Sequence, residues 1–358
     1  MLVILHADCT EAQSTAVEAA IRALGFTPLP VPGRSRTAIC ITGNRGPVDA
    51  STFATLSGVL ECIPVTKPWK LVGRKVAPES TVVRIGPIGH AVEIGNDRPA
   101  VLIAGPCSVE TEARTLAIAR AVQSAGARMF RAGAFKPRTS PYEFQGLGDE
   151  ALRTLAQVRR ETGLPVVSEI IDAAAIESMV ECVDVLQVGA RNMQNFVLLK
   201  ALAQQPRPVL LKRGPAATLT EWLMAAEYLL AGGKRDVLLC ERGIRSFSDH
   251  SRNTLDLNVV PLVKRLSHLP ILVDPSHGVG VRDRVRPMSR AALASGAHGL
   301  LIEAHLDPRT SYTDAAQTID IATLAGIARD AEVIAQLEAT DLVEARQPSP
   351  AQGTRSLP

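Results

Sequence analysis

Beyond residue 100 the chain alternates eight short apolar runs of strand character with amphipathic helical patterns. The runs fall at 101–104, 129–131, 166–169, 185–188, 209–212, 237–240, 271–273 and 299–302. Helices are expected at 111–124, 149–162, 195–204, 220–231 and 286–295, with a last one at 315–337. Parallel strands need a crossover between them, and a helix in the gap supplies it. Eight such units favour closure into a barrel over an open doubly wound sheet. The turn after the first run, Gly105-Pro-Cys-Ser, lacks the glycine spacing of a dinucleotide site. The expected class is α/β, a (β/α)8 TIM barrel, and 358 residues leave room for a smaller domain before it.

Residues 1–66 read strand, helix, strand, strand, helix, strand, the order of a ferredoxin-like α+β domain. Thr10 with Gln13 gives a capping-box signature, Val17, Ala20, Ile21 and Leu24 share a helical face, and Gly25 ends the helix. His6, Asp8 and Cys9 have no fourth ligand nearby and read as a strand-to-helix turn. A linker at 67–81, rich in Lys and Pro, leads to a hairpin that opens the barrel unit at 82–338. The stretch 339–358 is expected to be a disordered tail. A formal charge of +3 advertises no nucleic-acid or membrane surface, so electropositive work must be local. The six cysteines form no Cys-x-x-Cys pair, which points to reduced thiols in a cytoplasmic protein. The first residues carry no basic leader, and no apolar run nears the ~20 residues of a bilayer span.

Each apolar run ends in polar residues. In chain order they are Cys107 and Ser108; Arg131, Lys136, Arg138 and Thr139; Ser168 and Glu169; Arg191 and Asn192; Lys212 and Arg213; Glu241, Arg242 and Arg245; Asp274, Ser276 and His277; Glu303 and His305, with Asp314 beyond. In a barrel these ends share one rim, where chemistry gathers. Cys107, His277, Glu303 and Asp314 offer one sulfur, one imidazole and two carboxylates, a set suited to Mn2+, Fe2+, Co2+ or Zn2+. They share no sequence-local metal motif, and taken singly Cys107 and His277 read equally well as core residues. Arg131, Lys136, Arg138, Arg191, Lys212, Arg242 and Arg245 form a cationic group fit for phosphate and carboxylate.

The chain resembles the 3-deoxy-D-arabino-heptulosonate 7-phosphate (DAHP) synthases, in the branch with an added ferredoxin-like domain. The resemblance rests on AGPCSVE (104–110), RAGAFKPRTSPYEFQGLG (131–148), GARNMQNF (189–196), LLKRG (210–214), CERGIR (240–245), DPSHGVG (274–280) and SRAALASGAHG (289–299). It implies condensation of phosphoenolpyruvate with erythrose 4-phosphate, releasing phosphate. By motif position Cys107, His277, Glu303 and Asp314 would hold one divalent transition metal. Arg131, Lys136, Arg191, Lys212 and Arg242 would hold phosphoenolpyruvate, and Arg138, Thr139 and Ser276 the sugar phosphate. Glu169 would help to position water. With the ion as Lewis acid at the aldehyde, the enol-ether carbon attacks, water quenches the resulting cation and phosphate leaves. Lys136 is the expected proton donor, its pKa lowered by burial and neighbouring arginines, with a metal-bound water as the alternative.

Three alternatives stand beside this reading. One is a 3-deoxy-D-manno-octulosonate 8-phosphate synthase, disfavoured by the Lys136-Pro-Arg-Thr loop. Another is a Schiff-base aldolase using Lys212, and the third a catalytically silent metabolite-binding barrel. For the first domain the resemblance implies feedback inhibition by tyrosine or phenylalanine, in a homotetramer.

Overall fold

The computed structural model describes residues 1–33, 36–44, 48–63, 68–86, 91–136, 140 and 142–346, with the side chains of the last helix to Leu337. The first unit contains β1 (Leu2–Leu5), α1 (Glu11–Ala23), β2 (Thr27–Pro32), β3 (Thr37–Thr42), α2 (Ser51–Ala54) and β4 (Val59–Ile63). A hairpin follows, β5 (Val83–Ile85) and β6 (Val92–Ile94). Next come β7 (Val101–Gly105), α3 (Glu112–Ser124), β8 (Met129–Arg131), α4 (Asp149–Thr162), β9 (Val166–Ile170), α5 (Ile176–Cys182), β10 (Val185–Val188) and α6 (Phe196–Ala203). The chain continues through β11 (Val209–Lys212), α7 (Leu219–Ala231), β12 (Val237–Glu241), α8 (Val259–Leu266), β13 (Ile271–Val273), α9 (Pro275–Val279), α10 (Arg282–Ala294), β14 (Gly299–Glu303) and α11 (Ile321–Arg346).

Strands β7 to β14 close into a parallel barrel, and β1 to β4 form an antiparallel sheet in the order β2-β3-β1-β4. This is the TIM barrel preceded by a ferredoxin-like unit. Alternation sends one set of barrel side chains outward, where Leu102, Phe130, Val166, Leu186, Leu211, Leu239, Val273 and Ile302 pack under the helices. The other set faces inward. Val101, Ile103, Met129, Val167, Val185, Leu210, Leu238, Cys240, Leu272 and Leu301 form one cluster with Val83, Ile85, Val92 and Ile94 of the hairpin. The hairpin thus plugs the end of the barrel where the strands begin. No helix among the described residues is long and apolar enough to cross a membrane.

In the first unit the Thr10–Gln13 capping box forms, with Gln13 N–H donating to Thr10 Oγ1 at 3.3 Å and Thr10 N–H to Gln13 Oε1 at 2.9 Å. It starts α1, which buries Val17 and Ile21 against Val3, Leu5, Ile39 and Ile41. The opposite sheet face, Leu2, Ile4, Ala38 and Cys40, packs on Leu71 and Val76 of the linker. The linker is held to the barrel by Glu227 of α7, whose carboxylate accepts the N–H groups of Lys70, Leu71 and Val72 at 2.9, 2.8 and 2.9 Å. Lys70 Nζ donates back to the Ile41 carbonyl at 2.6 Å. One lysine therefore ties the small sheet to a barrel helix.

Helices α5, α8 and α9 lie where no helix was expected, and two of the expected helices begin elsewhere. The last one begins at Ile321 instead of 315, because the Asp320 carboxylate caps the Thr323 N–H at 2.7 Å and so sets the start there. It continues to Arg346, into the stretch expected to be a disordered tail. α10 begins at Arg282, a turn before the expected 286, and tolerates Pro287 in its second turn.

Candidate active site at the rim of the barrel

In seven of the eight barrel strands the inward row changes chemistry near the end of the strand. Two residues beyond a buried apolar side chain, Met129 gives way to Arg131, Val167 to Glu169, Val185 to Gln187, and Leu210 to Lys212. Likewise Cys240 gives way to Arg242, Leu272 to Asp274, and Leu301 to Glu303. A period of two keeps both members of each pair on the same face. The barrel interior is consequently apolar at one end and ionised at the other.

A cavity of about 300 Å3 opens at the ionised end. Lys136, Glu169, Arg191, Lys212, Arg242, Arg245, His277 and Asp314 line it, as do Arg252 and Asn253. Gly189 leaves room for the Glu169 carboxylate, which a Cβ at that position would displace. Glu169 is steadied by Gln187 Nε2, which donates to Oε2 at 3.3 Å.

Below the cavity wall lies the sulfur and carboxylate group. One ligand atom from each of Cys107, Glu303 and Asp314 lies within 4.8 Å of the other two. Cys107 Sγ is 3.0 Å from Asp314 Oδ2, and Lys136 Nζ approaches the same sulfur at 2.8 Å. His277 stands at the edge of this trio, its Nε2 3.5 Å from Glu303 Oε1. Asp274 accepts from both the His277 backbone N–H and its Nδ1, at 2.9 and 2.7 Å, which leaves Nε2 turned toward the trio. Asp314 adopts a left-handed backbone with φ 53°, rare for a residue with a side chain and a mark of sites where geometry outranks comfort.

Burial pushes the Cys107 thiol up to about 12, helped by Glu303. Its proton bridges to Asp314, so a divalent ion taken up here would displace that proton. Burial opposes ionisation of Glu303, but His277 and Arg131 outweigh it and hold the carboxyl below its usual range. Asp274 is fully buried, yet His277 and Lys212 overcome that cost and hold it well below the ordinary value. One sulfur, one turned imidazole and two ionised carboxylates fit a borderline divalent transition ion, as a donor set of this mixed softness should.

Several sequence expectations change here. Lys136 is raised above the ordinary lysine value, not lowered: burial favours the neutral amine, but Cys107, Glu169 and Glu303 outweigh burial and the repulsion of Arg131. Arg131 is buried, its Nη1 donating to Glu303 Oε1 and the Pro106 carbonyl, each at 2.9 Å. Ser276 is also buried and away from the cavity wall, its Oγ accepting the Glu303 N–H at 3.0 Å. Arg213 turns from the cavity to pair with Glu241 and Asp256. Arg138 and Thr139 lie outside the described residues. Arg252, Asn253, Asp274 and Gln317 were not assigned a role from sequence. Gln317 is buried and donates to Glu303 Oε2 at 2.6 Å while accepting from Arg252 Nη1 at 3.0 Å. A polar Arg-Asn pair in the loop after the sixth strand was the available signal for the first two.

The description of the DAHP synthetase I family matches residues 75–338, and that of the DAHP synthase ferredoxin-like domain matches residues 1–67. A relative from Thermotoga maritima, named phospho-2-dehydro-3-deoxyheptonate aldolase, is 45% identical over 288 residues, 80% of this chain and 84% of that one. A relative from Nitrobacter winogradskyi, named 2-dehydro-3-deoxyphosphooctonate aldolase, is 32% identical over 272 residues, 70% of this chain and 91% of that one. The crystal structure of the DAHP synthase of Thermotoga maritima superposes with a TM-score of 0.72 at 40% identity, covering 96% of this chain and 97% of that chain.

Proposed function

The chain belongs to the DAHP synthetase I family and condenses phosphoenolpyruvate with erythrose 4-phosphate and water to DAHP and phosphate, and from that premise we propose how its rim residues divide the work. The observation that carries the assignment is the adjacency of a cation-lined cavity to the Cys107, Glu303 and Asp314 group. Phosphoenolpyruvate brings a carboxylate and a phosphate, and Lys136, Arg191, Lys212 and Arg242 are the cations that receive them. Arg131 belongs to this set and also steadies Glu303, since its guanidinium joins the two groups. Arg138 and Thr139 remain our choice for the sugar phosphate. We assign Ser276 to holding β14 rather than to the sugar phosphate, because its hydroxyl is engaged by the Glu303 backbone.

Enzymes of this family depend on a metal, and we take Cys107, His277, Glu303 and Asp314 as its ligands, with Mn2+, Fe2+, Co2+ or Zn2+ as the ion. When bound, such an ion supplies Lewis-acid polarisation of the aldehyde. Lys136 delivers the proton to the new alkoxide. Its raised pKa keeps the ammonium loaded at neutral pH, and an alkoxide is basic enough to take the proton regardless. Glu169, held by Gln187 and given room by Gly189, orients the water that meets C2. The Schiff-base alternative is disfavoured by Lys212, whose Nζ sits 2.5 Å from the buried Asp274 carboxylate and is engaged in that ion pair.

The decisive assay is phosphate release from phosphoenolpyruvate with erythrose 4-phosphate against arabinose 5-phosphate. Activity with the four-carbon sugar alone, abolished by a chelator, is the expected result. Preference for the five-carbon sugar, or borohydride trapping of substrate on Lys212, would overturn it. We further propose that residues 1–66 act as a regulatory unit on the barrel of 82–338, across the linker at 67–81. On this reading tyrosine or phenylalanine inhibits a cytoplasmic homotetramer. Unchanged activity with either amino acid, or a monomer by light scattering, would remove that part.

A further inference from the structure

One buried cluster at the strand ends does not line the cavity. Glu110 and His305 are each 1% exposed and stand on different strand ends, Glu110 three residues past Cys107 and His305 two past Glu303. The Glu110 carboxylate accepts the Tyr312 N–H at 3.0 Å on one oxygen, and on the other Arg114 Nη1 at 2.9 Å and His305 Nε2 at 3.3 Å. The tautomer of His305 follows from its other nitrogen, which accepts the Asp307 N–H at 3.0 Å and so carries no proton. Nε2 is therefore the donor to Glu110. One side chain pair grips the segment that leaves β14 at both Asp307 and Tyr312, two residues short of Asp314.

The same segment is held twice more. Ser108 Oγ and Thr313 Oγ1 lie 3.1 Å apart, and the Asp314 carbonyl accepts Thr318 Oγ1 at 2.9 Å. A residue kept at φ 53° needs such support, because a free loop would relax out of that region.

We propose that Glu110 and His305 are positioning residues that clamp the 305–314 segment and so deliver the Asp314 carboxylate against Cys107. This rests on the reading of Cys107, Glu303 and Asp314 as metal ligands. Outer partners of that kind typically set metal affinity by 10- to 100-fold. The clamp does not touch substrate, so its loss acts on affinity for the ion and on the geometry around it.

The test is a titration of the metal-free full-length protein with Co2+, read by thiolate-to-cobalt charge-transfer absorption, with thermal midpoints recorded for every variant. His305→Leu is expected to bind Co2+ about 10- to 100-fold more weakly, with altered visible bands. His305→Gln, which keeps a donor for Glu110 and an acceptor for Asp307, is expected to stay within about 3-fold of the unsubstituted protein. Glu110→Gln should behave like His305→Leu, because its amide would face two donors with a third. Unchanged affinity in His305→Leu overturns the clamp, as does equal loss in His305→Leu and His305→Gln. Cys107→Ala with undiminished Co2+ affinity would instead overturn the ligand reading itself.

Discussion

The two ends of one barrel interior are built from the same alternating row and obey opposite rules. Where the strands begin, inward side chains such as Val101, Val167 and Leu210 meet the Val83, Ile85, Val92 and Ile94 plug, and two histidines nearby are kept neutral. His268 and His298 illustrate this: burial lowers each to about 4 from the usual 6.5. Where the strands end, two positions further along, Glu303, Asp274, Lys212 and Arg131 are buried as ions. They are tolerated because each is matched, Arg131 with Glu303 and Lys212 with Asp274. The lesson is that burial does not dictate polarity in this protein. A buried charge survives where closure of the barrel brings its partner, and the chemistry is thereby confined to one end.

The sharpest way to break that comparison is to remove a ligand at the ionised end. Cys107→Ala should lower DAHP formation about 1,000-fold or more, several kcal/mol of transition-state stabilisation, while the thermal midpoint of the metal-free protein changes little. A large fall in midpoint would mean that the rim also carries the fold. Asp274→Asn probes the matching of charges, because it leaves Lys212 buried without its counter-ion. Unfolding free energy should drop by about 3–5 kcal/mol in urea titration, and an unchanged value would refute the pairing argument.

At the other end the expectation reverses. Ile94→Ala should cost about 2–4 kcal/mol of stability through the cavity it leaves in the plug, with kcat within about 2-fold of the original well below the midpoint. A loss of activity without loss of stability would show that the plug shapes the rim. The smallest effect is read by acid. His268 and His298 are neutral when folded, while the unfolded chain protonates them near 6.5, so acidification favours unfolding. Stability should be full above about pH 6.5 and fall by about 1–3 kcal/mol per histidine as pH drops toward 4. His268→Gln, which removes one of the two, should flatten the slope of urea midpoint against pH in that window. An unaltered slope would mean that the proton is taken up elsewhere.

The fold was legible because local alternation is strong. Eight apolar runs with helical gaps announce a barrel, and Thr10 with Gln13 announces α1. The helix starts were less legible, since Asp320 competes with several earlier polar residues as a cap and only its bond to the Thr323 N–H decides. At the rim, residue type and position were readable, and Lys136, Glu169, Arg191, Lys212, Arg242, His277 and Asp314 do line one cavity. The direction of the Lys136 shift was not, because it depends on Cys107 and two glutamates arriving from other strands.

Sequence alone determined which side chains stand at which strand end, because a period of two and a crossover between strands leave little freedom. Only the tertiary structure decided the pairings: Asp274 between Lys212 and His277, Gln317 between Glu303 and Arg252, and Ser276 against the backbone of β14. Hydrogen bonds act over about 3 Å, whereas all of these partners except Asp274 and His277 are well separated along the chain, so no local pattern encodes them. Closing the ring brings them together, and their separation then sets which groups are ionised.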